Sequence, residues 1–198
     1  LGFLEQGTLK SPLLLLKTQH LKGQIIRAIL MFLSLVFYFM ACRSLPLASL
    51  YTLSYTAPLF MTILAIPFLG EKVGVQRAFA VIVGFVAVFI ILQPGDDTFQ
   101  LNGLYAVISG FFTGISVIFG KRLCAHDSNT LLVLMYTAAC LLGSMVVLPF
   151  VWITPNLADL FSFFLAGILG GAAQFGFIHA FRIAPVSSLA PFGYCGLI

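Results

Sequence analysis

The sequence predicts an all-α integral membrane protein, a bundle of membrane-spanning helices. Three observations carry that expectation. The first is composition: 61% of residues are hydrophobic, 8% are charged and 21 are Phe, with a mean hydropathy of +1.10. Soluble domains carry about 25% charged residues, so this chain has too little charge to clothe a surface facing water. The second is the length of its apolar runs, each about 20 residues, the length that crosses a bilayer. Strands rarely exceed about ten residues, and a membrane β-barrel would alternate polar and apolar positions. These runs are apolar all round. The third is the placement of charge, which sorts by side.

Taken in order, Leu1–Leu4 reads as the tail of a span. Glu5, Lys10, Lys17, His20 and Lys22 then make a polar linker around Leu13–Leu16, which is too short to cross. The first complete run is Gly23–Cys42, with Arg27 near one end. The second is Leu47–Leu69, after a polar break containing Pro46 and before Gly70-Glu71-Lys72. The third, Val75–Leu92, stops at Gln93-Pro94-Gly95-Asp96-Asp97. The fourth, Leu101–Gly120, stops at Lys121-Arg122. The fifth, Leu131–Ile153, stops at Thr154-Pro155-Asn156, and the sixth is Leu160–Phe181. A seventh opens near Ser187 and is cut off at Ile198, so the chain reads as a fragment. The breaks are rich in Pro, Gly, Asp and Asn, which stop helices.

If six runs alternate across a membrane, the loops fall into two sets. One holds Lys10, Lys17, Lys22, Arg27, Lys72, Arg77, Lys121, Arg122 and Arg182; the other holds Arg43 with Asp96, Asp97 and Asp159. Basic residues stay cytoplasmic, so the first set is expected inside. One missed or false span would scramble this segregation.

Composition also narrows function. The net charge of +4 is spread over loops, without the basic run interleaved with aromatics that a nucleic-acid groove needs. Cys42, Cys124, Cys140 and Cys195 are scattered, with no CxxC or Cys/His metal spacing. No cofactor or metal site is expected. A membrane enzyme would cluster His, Asp or Glu at helix ends, whereas only His126-Asp127 are adjacent.

A repeat lies at an offset of 139 residues. Ala41, Arg43, Pro46, Ser49, Leu50 and Tyr55 recur as Ala180, Arg182, Pro185, Ser188, Leu189 and Tyr194. Arg43 falls in an outside loop and Arg182 in an inside one. The two copies therefore run in opposite senses, as in the inverted repeats of secondary transporters, whose substrate sites lie near the midplane. A helix–Pro–helix turn used twice would give the same pattern.

The series Ala41, Arg43, Pro46, Ser49, Tyr55, Ala57-Pro58-Leu59-Phe60 and Leu69-Gly70-Glu71-Lys72 resembles the EamA-like drug/metabolite transporters, as does the run Gly103–Lys121. That resemblance implies a ten-helix carrier of two inverted five-helix repeats. Residues 1–95 would be the first repeat, truncated at its start, and residues 96–198 the second, truncated at its end. The missing parts would be the first helix or so and the last one to two. It implies a permease in the inner (cytoplasmic) membrane of a bacterium, moving a small organic metabolite or drug-like solute by alternating access. Its partners would be that solute and the lipid bilayer, with a homodimer also open. The alternative is a non-transporting membrane assembly or receptor subunit.

The residues themselves nominate a cavity wall. Tyr51, Tyr55 and Pro58 share a helical face at i, i+4 and i+7, and Pro58 would kink the span. The competing role for these hydroxyls is bonding to a neighbouring helix. Gln174 lies well within the sixth run and needs a partner in hydrocarbon. Tyr51, Tyr55, Pro58, Gln174 and Tyr194 are thus the substrate-binding candidates; no catalytic residue is expected. His179 suits the headgroup level beside Arg182. Tyr38, Ser109, Thr113, Ser116 and Tyr136 are further polar groups in spans, where Ser and Thr hydroxyls can bond their own helix backbone. Gly110/Gly114 and Gly167/Gly171 form two GxxxG pairs, expected to seat neighbouring helices. No span carries an Asp or Glu in its middle, which argues against an obvious buried proton carrier. Glu71, at a membrane edge, is expected to cap a helix or pair with basic loops.

Overall fold

A computed structural model describes residues 20–92, 97–152 and 154–197. The linker at 1–19 and the break at 93–96 lie outside the described residues. Secondary structure in the described residues is helical: α1 (Leu21–Cys42), α2 (Leu47–Ser54), α3 (Thr56–Leu69), α4 (Val75–Ile91), α5 (Asp97–Leu123), α6 (Asn129–Val151), α7 (Leu157–Ile183) and α8 (Val186–Leu189), which runs into a 3-10 turn at Ala190–Leu197. Five segments are long and apolar enough to cross a membrane: Leu21–Cys42, Leu47–Leu69, Leu101–Leu123, Asn129–Phe150 and Leu157–Ile183. The sixth expected span, α4, has 17 residues, the lower end of the range that crosses a bilayer. The chain is a multi-pass helical membrane protein.

Its outer surface is apolar. Phe79, Phe89, Phe161, Phe163 and Phe164 are each about two-thirds exposed. In water such a surface would aggregate; in lipid it needs no cover.

The second span is broken. α2 ends at Ser54 and α3 begins at Thr56, with Tyr55 (φ −69°, ψ 3°) between them. Pro58 explains the position. It has no N–H to offer the Ser54 carbonyl four residues back, and its ring crowds that carbonyl. The expected continuous face through Tyr51, Tyr55 and Pro58 is therefore interrupted: Tyr51 is exposed, Tyr55 half-buried and Pro58 buried. Gly70 closes α3 in the left-handed region (φ 66°), returning its own N–H to Ile66 and that of Glu71 to Ala65.

Helix α5 is the hub. Its Gly110 and Gly114 face α3, where an added Cβ would stand 3.0 Å from the Ala57 nitrogen and 2.9 Å from Phe60 Cβ. The first GxxxG pair does seat a helix. At the second, nothing among the described residues lies within 4 Å of the Cβ position at Gly167 or Gly171. α7 is exposed along most of its length. It meets the bundle through its last turns, where Ile178 joins Leu123, Cys124 and Leu132, and Phe181 joins Val117, Ile118 and Val186.

A belt of polar contacts ties the basic end together. Lys121 donates to the carbonyls of Phe181 and Ala184, Arg122 to that of Phe68, and Arg182 to that of Asp127. Gln24 Nε2 donates to Asp127 Oδ2 at 2.6 Å. Arg43, at the far end of α1, lies outside this belt.

Candidate functional site

The polar groups of α1 and α5 fall on facing stripes. On α1, Arg27, Met31, Ser34 and Tyr38 recur at helical spacing; on α5, Ser109, Thr113, Ser116 and Gly120 do the same. Between them Ser34 Oγ lies 3.0 Å from the Ser109 carbonyl, 3.1 Å from Ser109 Oγ and 2.6 Å from Thr113 Oγ1. Ser109 Oγ donates back to the Ser34 carbonyl at 2.9 Å, and Ser116 Oγ to the Arg27 carbonyl at 3.1 Å. Ser109 and Ser116 thus bond across to α1 and not within their own helix. Thr52, Ser54 and Thr62 do bond their own helix.

Two cavities open beside this seam, sharing Met31 as their common wall. The larger, of about 210 Å³, is lined by Ser34, Tyr38, Ser54, Thr113 and Tyr136 among others. The smaller, of about 20 Å³, is lined by Arg27, Ser116, Lys121, Gln174, Phe177 and Phe181 among others. A void of that size admits one water-sized group.

The sequence candidates scatter around these spaces. Gln174 lines the smaller cavity. Tyr51 is half-exposed and lies near Tyr38, which lines the larger one. Pro58 lies in a separate groove with Leu59, Arg77 and Ser187, and an added Cβ on Gly193 would stand 3.3 Å from its ring. Tyr55 marks the α2–α3 break. The side chain of Tyr194 lies outside the described residues. His179 Nδ1 lies 3.2 Å from Asn129 Nδ2. Arg27 and Ser34 received no site role from sequence. The usable signal was the pair of facing stripes, which individual residues do not reveal.

Glu71 has a defined task. Its carboxylate accepts from the backbone N–H of Val186 at 2.8 Å and of Ser187 at 2.9 Å. It thereby caps α8 from the α3–α4 loop. Partial burial pushes its carboxyl up, but the Ser187 and Val186 hydrogen bonds and the nearby Lys121 charge outweigh that and hold it below 4.5.

Comparison with known proteins fits this architecture. Residues 6–93 match the EamA-like transporter family. That match covers less than half of the chain. Over 186 residues it is 30% identical to the S-adenosylmethionine uptake transporter of Rickettsia bellii, covering 92% of this chain and 63% of that protein. It is also 30% identical to the riboflavin transporter of Vibrio cholerae, covering 92% of this chain and 62% of that protein. A riboflavin transporter of Rhizobium johnstonii is 28% identical, with 89% and 59% covered. The chain therefore spans less than two thirds of the length of these relatives. No solved structure gives a significant match. The family and these relatives are named for transport, not for an enzymatic reaction.

Proposed function

We propose that the protein is a secondary transporter for a small organic metabolite, working by alternating access in the cytoplasmic membrane of a bacterium. The observation that carries this reading is the pair of cavities along the α1–α5 seam, lined by hydroxyl, amide and cationic groups inside an apolar bundle. Polar groups in a membrane interior are costly and mark solute pathways. The relatives that transport S-adenosylmethionine and riboflavin support a metabolite of that general size.

The two-repeat plan belongs to the same proposal. Pro46 (φ −57°, ψ 142°) and Pro185 (φ −60°, ψ 144°), equivalent under the 139-residue offset, cap α2 and α8 with nearly identical backbone. The first repeat, residues 1–95, and the second, 96–198, would then present opposed copies of this turn. Glu71 of the first holds the Pro185 turn of the second.

Of the sequence candidates, Gln174 fits this site best, with Tyr51 near Tyr38. The test is flux. The full-length protein in liposomes should accumulate at least one solute from a panel containing S-adenosylmethionine and riboflavin, above empty liposomes. No movement of any solute across a broad metabolite panel would overturn the reading.

A further inference from the structure

The smaller cavity is lined by a cation, Arg27, that has no counter-ion among the described residues. Arg27 sits about 9 Å along α1 from its first residue, at ~1.5 Å per residue, yet it is only 5% exposed. Its Nη1 donates to the Leu132 carbonyl at 3.0 Å. Its Nε is buried and has no hydrogen-bond partner. An arginine near a helix end can snorkel to the interface, but a side chain this buried has not done so. Among the described residues no carboxylate forms an ion pair with Arg27. The second cation lining this cavity, Lys121, is engaged with the carbonyls of Phe181 and Ala184. Asp127, the nearest acid in sequence to this region, receives the Gln24 amide and is not among the residues lining the cavity.

A buried cation that lacks a counter-ion is strongly destabilising unless something else supplies the charge. The geometry restricts what that can be. The void of about 20 Å³ that Arg27 lines admits one water-sized group. Gly120 keeps it open: a Cβ there would stand 2.9 Å from Nε. Arg27 shares the lining of that void with Ser116, Gln174, Phe177 and Phe181. One oxygen of a carboxylate fits that space; an organic body does not, and would have to displace the Phe177 and Phe181 rings that line it.

We propose that Arg27 is the docking cation for a carboxylate on the solute, with Nε–H as the donor and Gln174 beside it. The solute class is then a small carboxylate or zwitterion carrying an apolar or aromatic body. This rests on the transporter reading but is tested separately from it, by binding.

The probes are matched pairs: L-phenylalanine against L-phenylalaninamide, phenylacetate against phenylacetamide, and S-adenosylmethionine against its methyl ester. Affinity is measured on the full-length protein in detergent, then in liposomes of zwitterionic lipid, so that no anionic headgroup can supply the charge. At least one acid should bind tenfold or more tighter than its neutral partner. Arg27→Gln, which keeps a donor for the Leu132 carbonyl, should abolish that preference. In wild-type protein carrying 15N-arginine, the Arg27 Nε–H resonance should shift with the acid and not with its partner; this readout stands even where the variant fails to fold. Equal affinity within every pair, no acid bound at all, an unmoved Nε–H resonance or a preference that survives Arg27→Gln would each overturn the proposal. Solute flux without acid preference sinks Arg27 and leaves transport standing. Acid binding at Arg27 without flux does the reverse.

Discussion

Helices α5 and α7 carry the same motif in opposite circumstances. Each has a GxxxG pair inside an apolar run of membrane length. In α5 the glycines lie against α3, so close that backbone and Cβ atoms of Ala57 and Phe60 would meet any side chain placed there. In α7 the corresponding positions face open space among the described residues. The motif permits close approach, but other residues decide whether a neighbour comes. α5 offers α3 a continuous seam, with Val117 and Ile118 continuing the contact to Met61 and Ala65. α7 offers its neighbours only the last turns around Ile178 and Phe181, secured by Lys121 and Arg182.

Leucine substitutions test this contrast most severely. Gly110→Leu places a side chain against the backbone of Ala57, which cannot move aside without shifting α3. Overpacking costs typically about 1–3 kcal/mol and occasionally more, and backbone that cannot yield puts this site at the upper end, so Gly110→Leu should yield little folded protein. Gly171→Leu, facing nothing within 4 Å, should fold as the wild type does. Thermal unfolding of both variants purified in parallel would measure the gap. Equal losses would erase the distinction between the two helices.

A smaller effect probes how the far end of α7 and the turn after it are held. Glu71 receives two backbone N–H groups at the start of α8 and is held below its ordinary carboxyl range. Its folded value is depressed, so the stability it contributes is fully present above the unfolded value near 4.5 and is lost as pH falls through the folded value. Wild-type melting temperature should therefore fall as the solution is acidified through and below that range. Glu71→Gln should start lower at neutral pH and lose less on acidification. The solvent around this partly exposed group will moderate the difference. Parallel acid-induced losses in both proteins would show that the cap contributes nothing.

These contrasts also show where sequence reasoning reached and where it stopped. Span boundaries were legible because hydrocarbon enforces length and apolarity on every crossing. The basic end was legible because Lys and Arg sort by side. Glu71 could be placed at a membrane edge with a capping role, although its partner α8 lies more than a hundred residues away, beyond any local signal. The site was less legible. Pro58 announced a break but not that Tyr51 and Tyr55 would part from it. Ser109 and Ser116 look able to satisfy themselves on their own helix; only the approach of α1 gives them better partners. Arg27 reads as a helix-end cation until its burial is known.

The mildest substitutions sharpen the comparison furthest. Glycine inside a helix is less favourable than alanine by about 0.8–1.0 kcal/mol, provided the added methyl meets nothing. At Gly167 and Gly171 the surroundings are open, so Gly167→Ala and Gly171→Ala should each leave stability unchanged or raise it by up to about 1 kcal/mol. At Gly114 the same methyl would stand 2.9 Å from Phe60 Cβ and 3.3 Å from the Met61 nitrogen, so Gly114→Ala should lower it. The sign, read from unfolding of the full-length protein in detergent and again in lipid, is the measurement. If alanine at 167 or 171 destabilises the full-length protein, a helix covers that face in the membrane. The two motifs would then differ in which helix fills them, not in whether they are filled.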